Sequence, residues 1–464
     1  MAKFSPSPRV SPNEIIEVEQ VFMPRGHRAV LDPNRQLIVG NRGMGKSFWT
    51  HALSNQAVRE RFRELSSSLV EADVHIGFNG SHKISDVAPS VDQIGWALNS
   101  SYTADEIWRT VVLRASTSTL GRRPASFEES ISQLRQAPAA YGVLIAEADD
   151  HLAANGKMAI LLFDALDLLA GNWQSIRELT TSLLRLIAGL RSFRSFRAKV
   201  FMRPDQFLDR ANFQFPDASK IRNDHVDLTW QPTELFSLLF FEIQRASEVA
   251  HNALQLLALR SGALGALDFE GRILPPSEGG QTLLVTEIAG QYMGSDARRG
   301  KVYTWVPLHL SDARGACSPR TFLAAWSKAA NHQPAPQEKA VDHLGLIEGV
   351  KAASVARLEE LREDYQWIDV ALGSLRGQFV PMEREEFLRA VGQSDALTQI
   401  KAGDWLPPIE LQLDAGEEEG LLSALSNIGV AEERANGRIN IPDIFRVEAG
   451  IKRKGGVAVP KRSR

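Results

Sequence analysis

The chain has 464 residues, of which 44% are apolar and 23% charged, and it carries 53 Lys and Arg against 56 Asp and Glu. This is a globular composition with room for about three domains, and a formal charge of −3 argues against wholesale coating of a polyanion. One cysteine, Cys317, excludes an internal disulfide framework. No apolar run reaches the roughly 18 residues of a transmembrane helix, so we expect a soluble, cytoplasmic protein with no membrane partner.

The N-terminal residues 1–12 are rich in Ser and Pro and are predicted to form a loose arm, followed by a short helix over 13–23. Apolar residues 37–39 then lead into the segment GNRGMGKS, which has the spacing of a phosphate-binding loop. Its glycines let several backbone N–H groups point at one β-phosphate, while Lys46 reaches the β and γ oxygens and the Ser47 hydroxyl holds Mg²⁺.

Residues from Phe48 onward predict a helix to about residue 65, whose N-terminal dipole would face the anion. The segment therefore predicts a nucleoside triphosphate site, which we take to be for ATP with Mg²⁺. Its binding residues are Gly40, Asn41, Arg42, Gly43, Met44, Gly45, Lys46, Ser47 and Phe48.

Between this loop and the next motif we predict a strand over 72–78, a helix over 104–115 and a polar surface excursion over 116–138. Residues 158–164 are then a continuous apolar run that ends in Asp164, the pattern of a buried parallel strand whose carboxyl end points into a site. We expect Asp164 to hold Mg²⁺ from the side opposite Ser47. Asp167 would orient or polarise the attacking water, or it would be a helix N-cap.

Two arginines follow the acid strand. After a helix over 173–190, a strand over 199–202 ends at Arg203, which can sense the γ-phosphate or can pair with Asp205 or Asp209. A strand over 225–230 and an apolar helix over 231–250 come next. Arg320 then stands in the first turn of a helix over 321–330, where a cation opposes the helix dipole, so we expect it to serve the nucleotide.

The C-terminal third begins with a linker over 331–337 and an amphipathic helix over 350–364. A helix over 421–428 precedes two short strands around Asn436 and Gly437, a favoured hairpin turn. Helix followed by hairpin suggests a winged helix. The chain ends in a basic tail, which is either a solvated terminus or a nucleic-acid contact.

The predicted fold class is α/β, with a P-loop NTPase core around a parallel sheet, a helical lid and a C-terminal helical, winged-helix-like domain. The boundaries are 1–32 for the arm and first helix, 33–260 for the core, 261–335 for the lid with the second sensor, and 336–464 for the C-terminal domain.

Four segments resemble bacterial P-loop ATPases of the AAA+ and STAND kind, nearest in pattern to the KAP and NACHT groups: GNRGMGKS, LLFDALDLL, VFMRP and ACSPRTFLAAWSKAA. The resemblance covers about residues 33–330. It implies Lys46 and Ser47 on the phosphates and Mg²⁺, Asp164 on Mg²⁺, Arg203 as first sensor and Arg320 as second sensor, moving with the lid. No glutamate directly follows Asp164, so Asp167 substitutes as the base or hydrolysis is slow.

The leading functional hypothesis is an ATPase that acts as a molecular switch or motor, forms a homo-oligomer and controls a partner. Relatives of this type imply a role in anti-phage defence, and the chain shows no effector chemistry of its own, so a separate effector or target protein is expected. The alternative is a DNA-handling ATPase, such as a loader or a transposition or partition regulator, with phosphate contacts from residues such as Arg434, Arg438 and Lys452. On this alternative, DNA binding weakens steeply with salt and is lost on truncation after Pro442. A small-molecule kinase leaves the C-terminal third without a function.

Overall fold

The computed structural model describes residues 15–263, 274–405, 407–412 and 416–455. Within them the chain forms two compact units, one ending at Thr229 and the other beginning at Trp230. The predicted arm over 1–12 and the end of the basic tail, beyond Gly455, lie outside the described residues. No helix in the described part of the chain is both long enough and apolar enough to span a bilayer.

The first unit alternates strands and helices. Its elements are β1 Leu37–Val39, α1 Lys46–Ser54, α2 Gln56–Arg61, α3 Ser67–Val70, β2 Asp73–Phe78, α4 Val91–Asn99, α5 Ala104–Thr119, α6 Phe127–Gln136, α7 Pro138–Ala154, β3 Ala159–Phe163, α8 Trp173–Leu190, β4 Phe196–Met202, α9 Pro204–Leu208, α10 Ala218–Arg222 and β5 Val226–Asp227. Short 3₁₀ helices occupy Val18–Gln20, Arg25–Leu31, Leu166–Leu168 and Arg210–Phe213.

The five strands form one parallel sheet in the order β2-β3-β4-β1-β5. Strand β4 therefore separates the strand before the phosphate loop from the strand before Asp164. All residues of β3 are buried, as expected for a central strand covered on both faces. The predicted α/β fold class with a parallel sheet is confirmed.

The core of the first unit lies between the sheet and the long helices α5 and α8. Trp108 of α5 is fully buried, with its ring centroid 6.3 Å from that of Phe78 and 5.6 Å from that of Phe163. Its indole N–H donates to the Leu179 carbonyl oxygen at 2.8 Å. One tryptophan thus joins two strands and two helices while its polar atom stays satisfied.

The predicted polar excursion over 116–138 is wrong, because α6 lies within it. Ser126 and Glu129 form a capping box at its start, and Phe127, Ile131 and Leu134 are buried along one face. These apolar residues, four and three positions apart, are the only sign of a helix in an otherwise polar sequence. The predicted helix to residue 65 also differs, since Asn55 interrupts it and caps α2 through the Ala57 N–H.

Lys199 lies in the centre of β4 and is completely buried. Its ammonium donates to the backbone carbonyls of Asp32 at 2.6 Å and Arg35 at 2.9 Å, which precede β1. Burial lowers the pKa of Lys199 to about 7. The sequence pattern predicts a strand here but gives no role to this charge.

Folding stability is expected to rise with pH above about 7 through Lys199, because the unfolded lysine keeps its proton up to a pKa of about 10.4 while the folded one loses it near 7. The slope contributed is at most about 1.4 kcal/mol per pH unit. Denaturant unfolding of wild type and Lys199→Met across this range checks it, with exposed Lys83→Met as control. If the free energy of unfolding changed with pH in the same way in wild type and in Lys199→Met, the lowered pKa of Lys199 would be contradicted.

The second unit is mainly helical. Its elements are α11 Pro232–Ala246, α12 Glu248–Ser261, α13 Glu278–Ala289, α14 Val302–Leu310, α15 Pro319–Ala330, α16 His343–Asp364, α17 Ile368–Gly373, β6 Phe379–Val380, α18 Arg384–Gly392, α19 Ala396–Ala402, α20 Glu417–Asn427, β7 Glu432–Glu433, β8 Ile439–Asn440, α21 Asp443–Arg446 and β9 Lys452–Arg453. Short 3₁₀ helices occupy Ala297–Arg299 and Ile409–Gln412.

Helix α11, which the predicted boundaries assign to the core, packs with the second unit. Its Phe236 stacks on Tyr303 with ring centroids 4.4 Å apart and also contacts Phe322 and Trp326 of α15. Helix α15 in turn lies tightly on α16, where a Cβ added to Gly349 would meet the Ala325 carbonyl oxygen at 2.2 Å. The break in packing thus falls about 30 residues before the predicted boundary at residue 260.

The C-terminal elements from β6 to β9, here called the C-terminal module, place three helices before a hairpin. Strands β7 and β8 pair antiparallel, and Met382 bridges Ile439 of β8 from the other side. Strands β6 and β9 form a separate parallel pair. The predicted hairpin around Asn436 and Gly437 is present, and the helix before it is α20.

Candidate nucleotide-binding site

The predicted phosphate loop joins β1 to α1 at the carboxyl edge of the sheet. Gly43 and Gly45 adopt φ of 81° and 110°, which side chains other than hydrogen rarely allow, and they turn the backbone into the first residue of the helix. Gly40 starts the loop, with its N–H donating to the Met202 carbonyl oxygen at 3.1 Å. A Cβ on Gly40 would lie 3.1 Å from the Leu228 Cβ, so the residue directly after β5 packs closely against the start of the loop.

After Gly40, the residues of the loop are half-buried, except for Met44, whose side chain is buried. Lys46 folds back over the loop, donating to the Gly40 carbonyl oxygen at 2.7 Å and to that of Asn41 at 3.2 Å. Its ammonium is therefore held at the loop that would receive the phosphates. Phe48, also half-buried, turns its ring toward Trp49, with centroids 5.6 Å apart.

Ser47 and Asp164 are brought together by the sheet order. Asp164 directly follows β3 and is 3% exposed, and its carboxylate accepts hydrogen bonds from the Ser47 side chain and the Ala165 N–H. Burial raises the pKa of Asp164, while Ser47 and the Lys46 charge oppose that shift. A hydroxyl and a carboxylate in contact beside a phosphate loop suit Mg²⁺, which takes oxygen ligands and shares its shell with phosphates. The residues present therefore fit ATP with Mg²⁺.

Ala165, the residue after Asp164, adopts left-handed backbone angles of φ 57° and ψ 40°. For a residue with a Cβ this costs roughly 1–2 kcal/mol. It starts the 3₁₀ helix Leu166–Leu168, which leaves Asp167 exposed at the same edge. Asp167 lies inside this helix and is not its N-cap, so that alternative is wrong. Its catalytic role stays a prediction.

Arg203 lies at the end of β4, between the phosphate loop and Asp164 in the sheet order. Its guanidinium makes a bidentate pair with Asp205, at 3.0 and 2.8 Å, and its side chain is 9% exposed. Asp209, the other weighed partner, instead pairs with Arg177. The first-sensor role of Arg203 stays a prediction, and Asp205 holds its guanidinium in place.

Arg320 lies in the first turn of α15 in the second unit, as predicted. Its guanidinium pairs with Glu360 of α16 at 3.0 Å, and Arg357 pairs with the same carboxylate at 2.8 Å. These two arginines lower the pKa of Glu360 although its burial opposes them. The partner of Arg320 was not predicted, and its second-sensor role stays a prediction.

A buried contact between α1 and the segment before β1 had no signal in the sequence. The indole N–H of Trp49 donates to Nδ1 of buried His27 at 2.9 Å, and burial lowers the pKa of His27 to about 4. The imidazole is therefore neutral near pH 7 and can accept this bond. His27 belongs to the 3₁₀ helix Arg25–Leu31, and no motif in that segment indicated the contact.

Two solved structures are similar to the chain at low identity. The Aeropyrum pernix ORC2 protein, in ADPNP–ADP complexes, is 12% identical with a TM-score of 0.43, and 95% of each chain is covered. Cdc6p from Pyrobaculum aerophilum is 13% identical with a TM-score of 0.32, covering 96% of this chain and 94% of that one. No protein-family model and no curated protein matches the chain.

Proposed function

We propose that the protein is a Mg²⁺-dependent ATPase of the AAA+ type that works as a molecular switch. The observation that carries the proposal is the contact of Ser47, from the phosphate loop, with buried Asp164, from the end of β3, beside the Lys46 ammonium. Burying a carboxylate disfavours its charged form, so it costs free energy. A glycine turn that served only the fold would not require a buried carboxylate in contact with it.

In this proposal the loop N–H groups and Lys46 bind the phosphates, and Ser47 and Asp164 hold the metal. Bound Mg²⁺ supplies charge neutralisation on the phosphate oxygens. Asp167 is the candidate to orient the attacking water, since Ala165 occupies the place of the usual glutamate. Turnover is expected to be slow, because an exposed carboxylate is less firmly positioned than a buried one.

The switch requires a group that distinguishes ATP from ADP, and Arg320 is proposed for that role. A γ-phosphate would compete with Glu360 for the guanidinium, and α16 would lose one of the two arginines that Glu360 now binds. The nucleotide state would thereby act on the helices that lead to the C-terminal module. Homo-oligomerisation is the proposed readout.

Arg320→Ala is expected to leave ATP affinity within a few-fold of wild type and to abolish the effect of nucleotide on oligomeric state. Size-exclusion chromatography with and without a non-hydrolysable analogue measures this. Glu360→Gln is the matched control: it weakens the same ion pair but keeps the arginine, so it should retain the nucleotide response. If wild type elutes identically with and without the analogue, the switch model fails.

DNA handling is the second candidate, and it has a specific observation in its favour. The C-terminal module has the helix, helix, helix and hairpin order of a winged helix, with the second hairpin strand bridged to Met382. The separate effector protein, the KAP or NACHT assignment and the anti-phage role stay predictions without such an observation. Between the two kinds of partner, we therefore favour DNA.

Binding of DNA by the full chain is expected to weaken steeply with salt, since each phosphate contact lowers the slope of log K against log salt by about 0.9 for a duplex and about 0.7 for a single strand. Fluorescence anisotropy at several salt concentrations measures the slope. Truncation after Pro442 is a poor variant, because it removes the buried residues Ile444 and Phe445. Affinity independent of salt, or no binding at all, would count against this candidate.

A further inference from the structure

The helical side of the C-terminal module carries many carboxylates, and its basic residues Arg384 and Lys401 are ion-paired with glutamates. Helix α20, which precedes the hairpin, begins with Glu417, Glu418 and Glu419 and contains no Lys or Arg. Arg384 binds both Glu419 and Glu433. A recognition helix normally presents its N-terminal end to the base edges of a duplex. In α20 that end carries carboxylates, which would repel the DNA.

The hairpin arginines expected to contact phosphates are also paired within the module. Arg438 donates to Glu383 at 2.6 Å, and Arg434 lies 3.5 Å from Glu432. These are surface pairs of small energy, yet the neighbouring carboxylates would repel a phosphate. The hairpin therefore offers little net positive charge.

The parallel pair of strands β6 and β9 has a different character. Phe379 pairs in register with Lys452, and Val380 pairs with Arg453. Because side chains alternate along a strand, the first pair faces outward and the second inward: Phe379 is 50% exposed and Val380 only 1%. Lys452 Nζ lies over the Phe379 ring, 5.4 Å from its centroid.

Two further basic side chains extend this surface. Lys454 is exposed and lies two residues after Lys452 on the same face, and its backbone N–H donates to the Val380 carbonyl oxygen at 2.8 Å. Arg376 is exposed beside the turn before β9, where its Nε would be 3.9 Å from a Cβ on Gly450. None of Arg376, Lys452 and Lys454 forms an ion pair with a carboxylate of the described residues. We call these three residues and Phe379 the basic edge.

The inward pair fixes this edge to the rest of the unit. Arg453 donates to Asp443 at 2.7 Å, and Arg446 donates to the other oxygen of that carboxylate at 2.8 Å. His309 of α14 lies 3.4 Å from Asp443, whose side chain is only 10% exposed. Asp443 is therefore paired with residues inside the unit. Its negative charge does not neutralise the outward-facing cations of the basic edge.

We propose that the basic edge binds single-stranded nucleic acid, with a base stacked on Phe379 and backbone phosphates on Arg376, Lys452 and Lys454. An exposed aromatic ring among unpaired cations is the arrangement that single strands require, because their bases are free to stack. A duplex hides its base faces and has no use for the ring. The Lys452 ammonium would move from the ring to a phosphate as the base takes its place. The inference rests on the DNA-handling candidate and assigns its contact surface.

The test uses the full chain and a labelled oligothymidylate of about 20 nucleotides, followed by fluorescence anisotropy. Phe379→Ala is expected to weaken binding about 5- to 150-fold, the range for one stacked base. Phe379→Trp should retain affinity, which separates stacking from a folding defect. The double variant Lys452→Gln with Lys454→Gln should reduce the salt slope by about 0.7 per phosphate contact. Arg438→Gln, which removes one positive charge from a residue paired with Glu383, should leave the slope unchanged.

Several results would overturn the proposal. Equal affinity of wild type and Phe379→Ala for the oligonucleotide would mean that no base stacks on this ring. Tighter binding of a duplex that depends on Arg438 and not on Lys452 would place the contact on the hairpin. Binding to vesicles of equal parts phosphatidylserine and phosphatidylcholine but not to the oligonucleotide would make the edge a lipid surface. The ATPase proposal is tested separately, since Lys46→Ala should keep oligonucleotide binding and the edge variants should keep ATP hydrolysis.

Discussion

Replacing Lys46 with alanine is expected to abolish detectable ATP hydrolysis and to weaken ATP binding by on the order of 10²- to 10⁴-fold. The lysine would make two charge-assisted hydrogen bonds to the phosphates, each contributing about 1.5–3 kcal/mol. The ammonium is already held at the loop by the carbonyl oxygens of Gly40 and Asn41, so little rearrangement is needed to reach a phosphate. Isothermal titration with ATP and a phosphate-release assay measure the two effects.

The control for this variant is Lys157→Ala, which removes an exposed lysine before β3. It should leave both assays unchanged. Thermal unfolding without nucleotide should change far less than ATP affinity in Lys46→Ala, because the carbonyl oxygens of Gly40 and Asn41 that accept from the lysine lie at a half-buried loop where water can replace it. Unchanged affinity in Lys46→Ala would remove the phosphate-loop assignment itself.

The central part of the fold was predictable where one physical requirement dominates a segment. The run 158–163 is apolar throughout because β3 is covered on both faces, and α8 spans the predicted residues because its leucines repeat at helical spacing. Helix α6 was missed because only a few buried apolar residues mark it. The place of α11 was missed because a strongly apolar helix does not reveal which neighbour covers it.

The site divides in a similar way. The loop glycines, Lys46, Ser47 and Asp164 follow from the fixed requirements of a phosphate and a metal, and the sheet brings the last two into contact. Two neighbouring features were not predictable. Alanine does not favour the left-handed backbone that Ala165 adopts, and no sequence pattern distinguishes Lys199 from other strand residues until its carbonyl partners are known. Arg203 and Arg320 were proposed from their positions and from the family resemblance, whereas the pairing of Arg320 with Glu360 had no signal in the sequence.

Asp164→Asn is expected to move activity and stability in opposite directions. Mg²⁺-dependent turnover should fall by on the order of 10³-fold, because the amide removes the negative charge that would hold the metal, an effect worth several kcal/mol. The apo protein should unfold at a higher temperature, since burial raises the pKa of Asp164 and the charged carboxylate is therefore disfavoured in the folded state. Asparagine keeps the shape and can still bond the Ser47 hydroxyl.

The two readouts together separate a metal ligand from a structural acid. If Asp164 served only to fix Ser47 and the Ala165 turn, the isosteric amide would lower stability or leave it unchanged, and turnover would fall no further than the folded fraction. Asp167→Asn is the matched control: it is exposed, so its substitution should leave the unfolding temperature unchanged while turnover falls if it orients water. Full turnover by Asp164→Asn would contradict the metal assignment, because no neutral ligand replaces a carboxylate without loss of Mg²⁺ affinity.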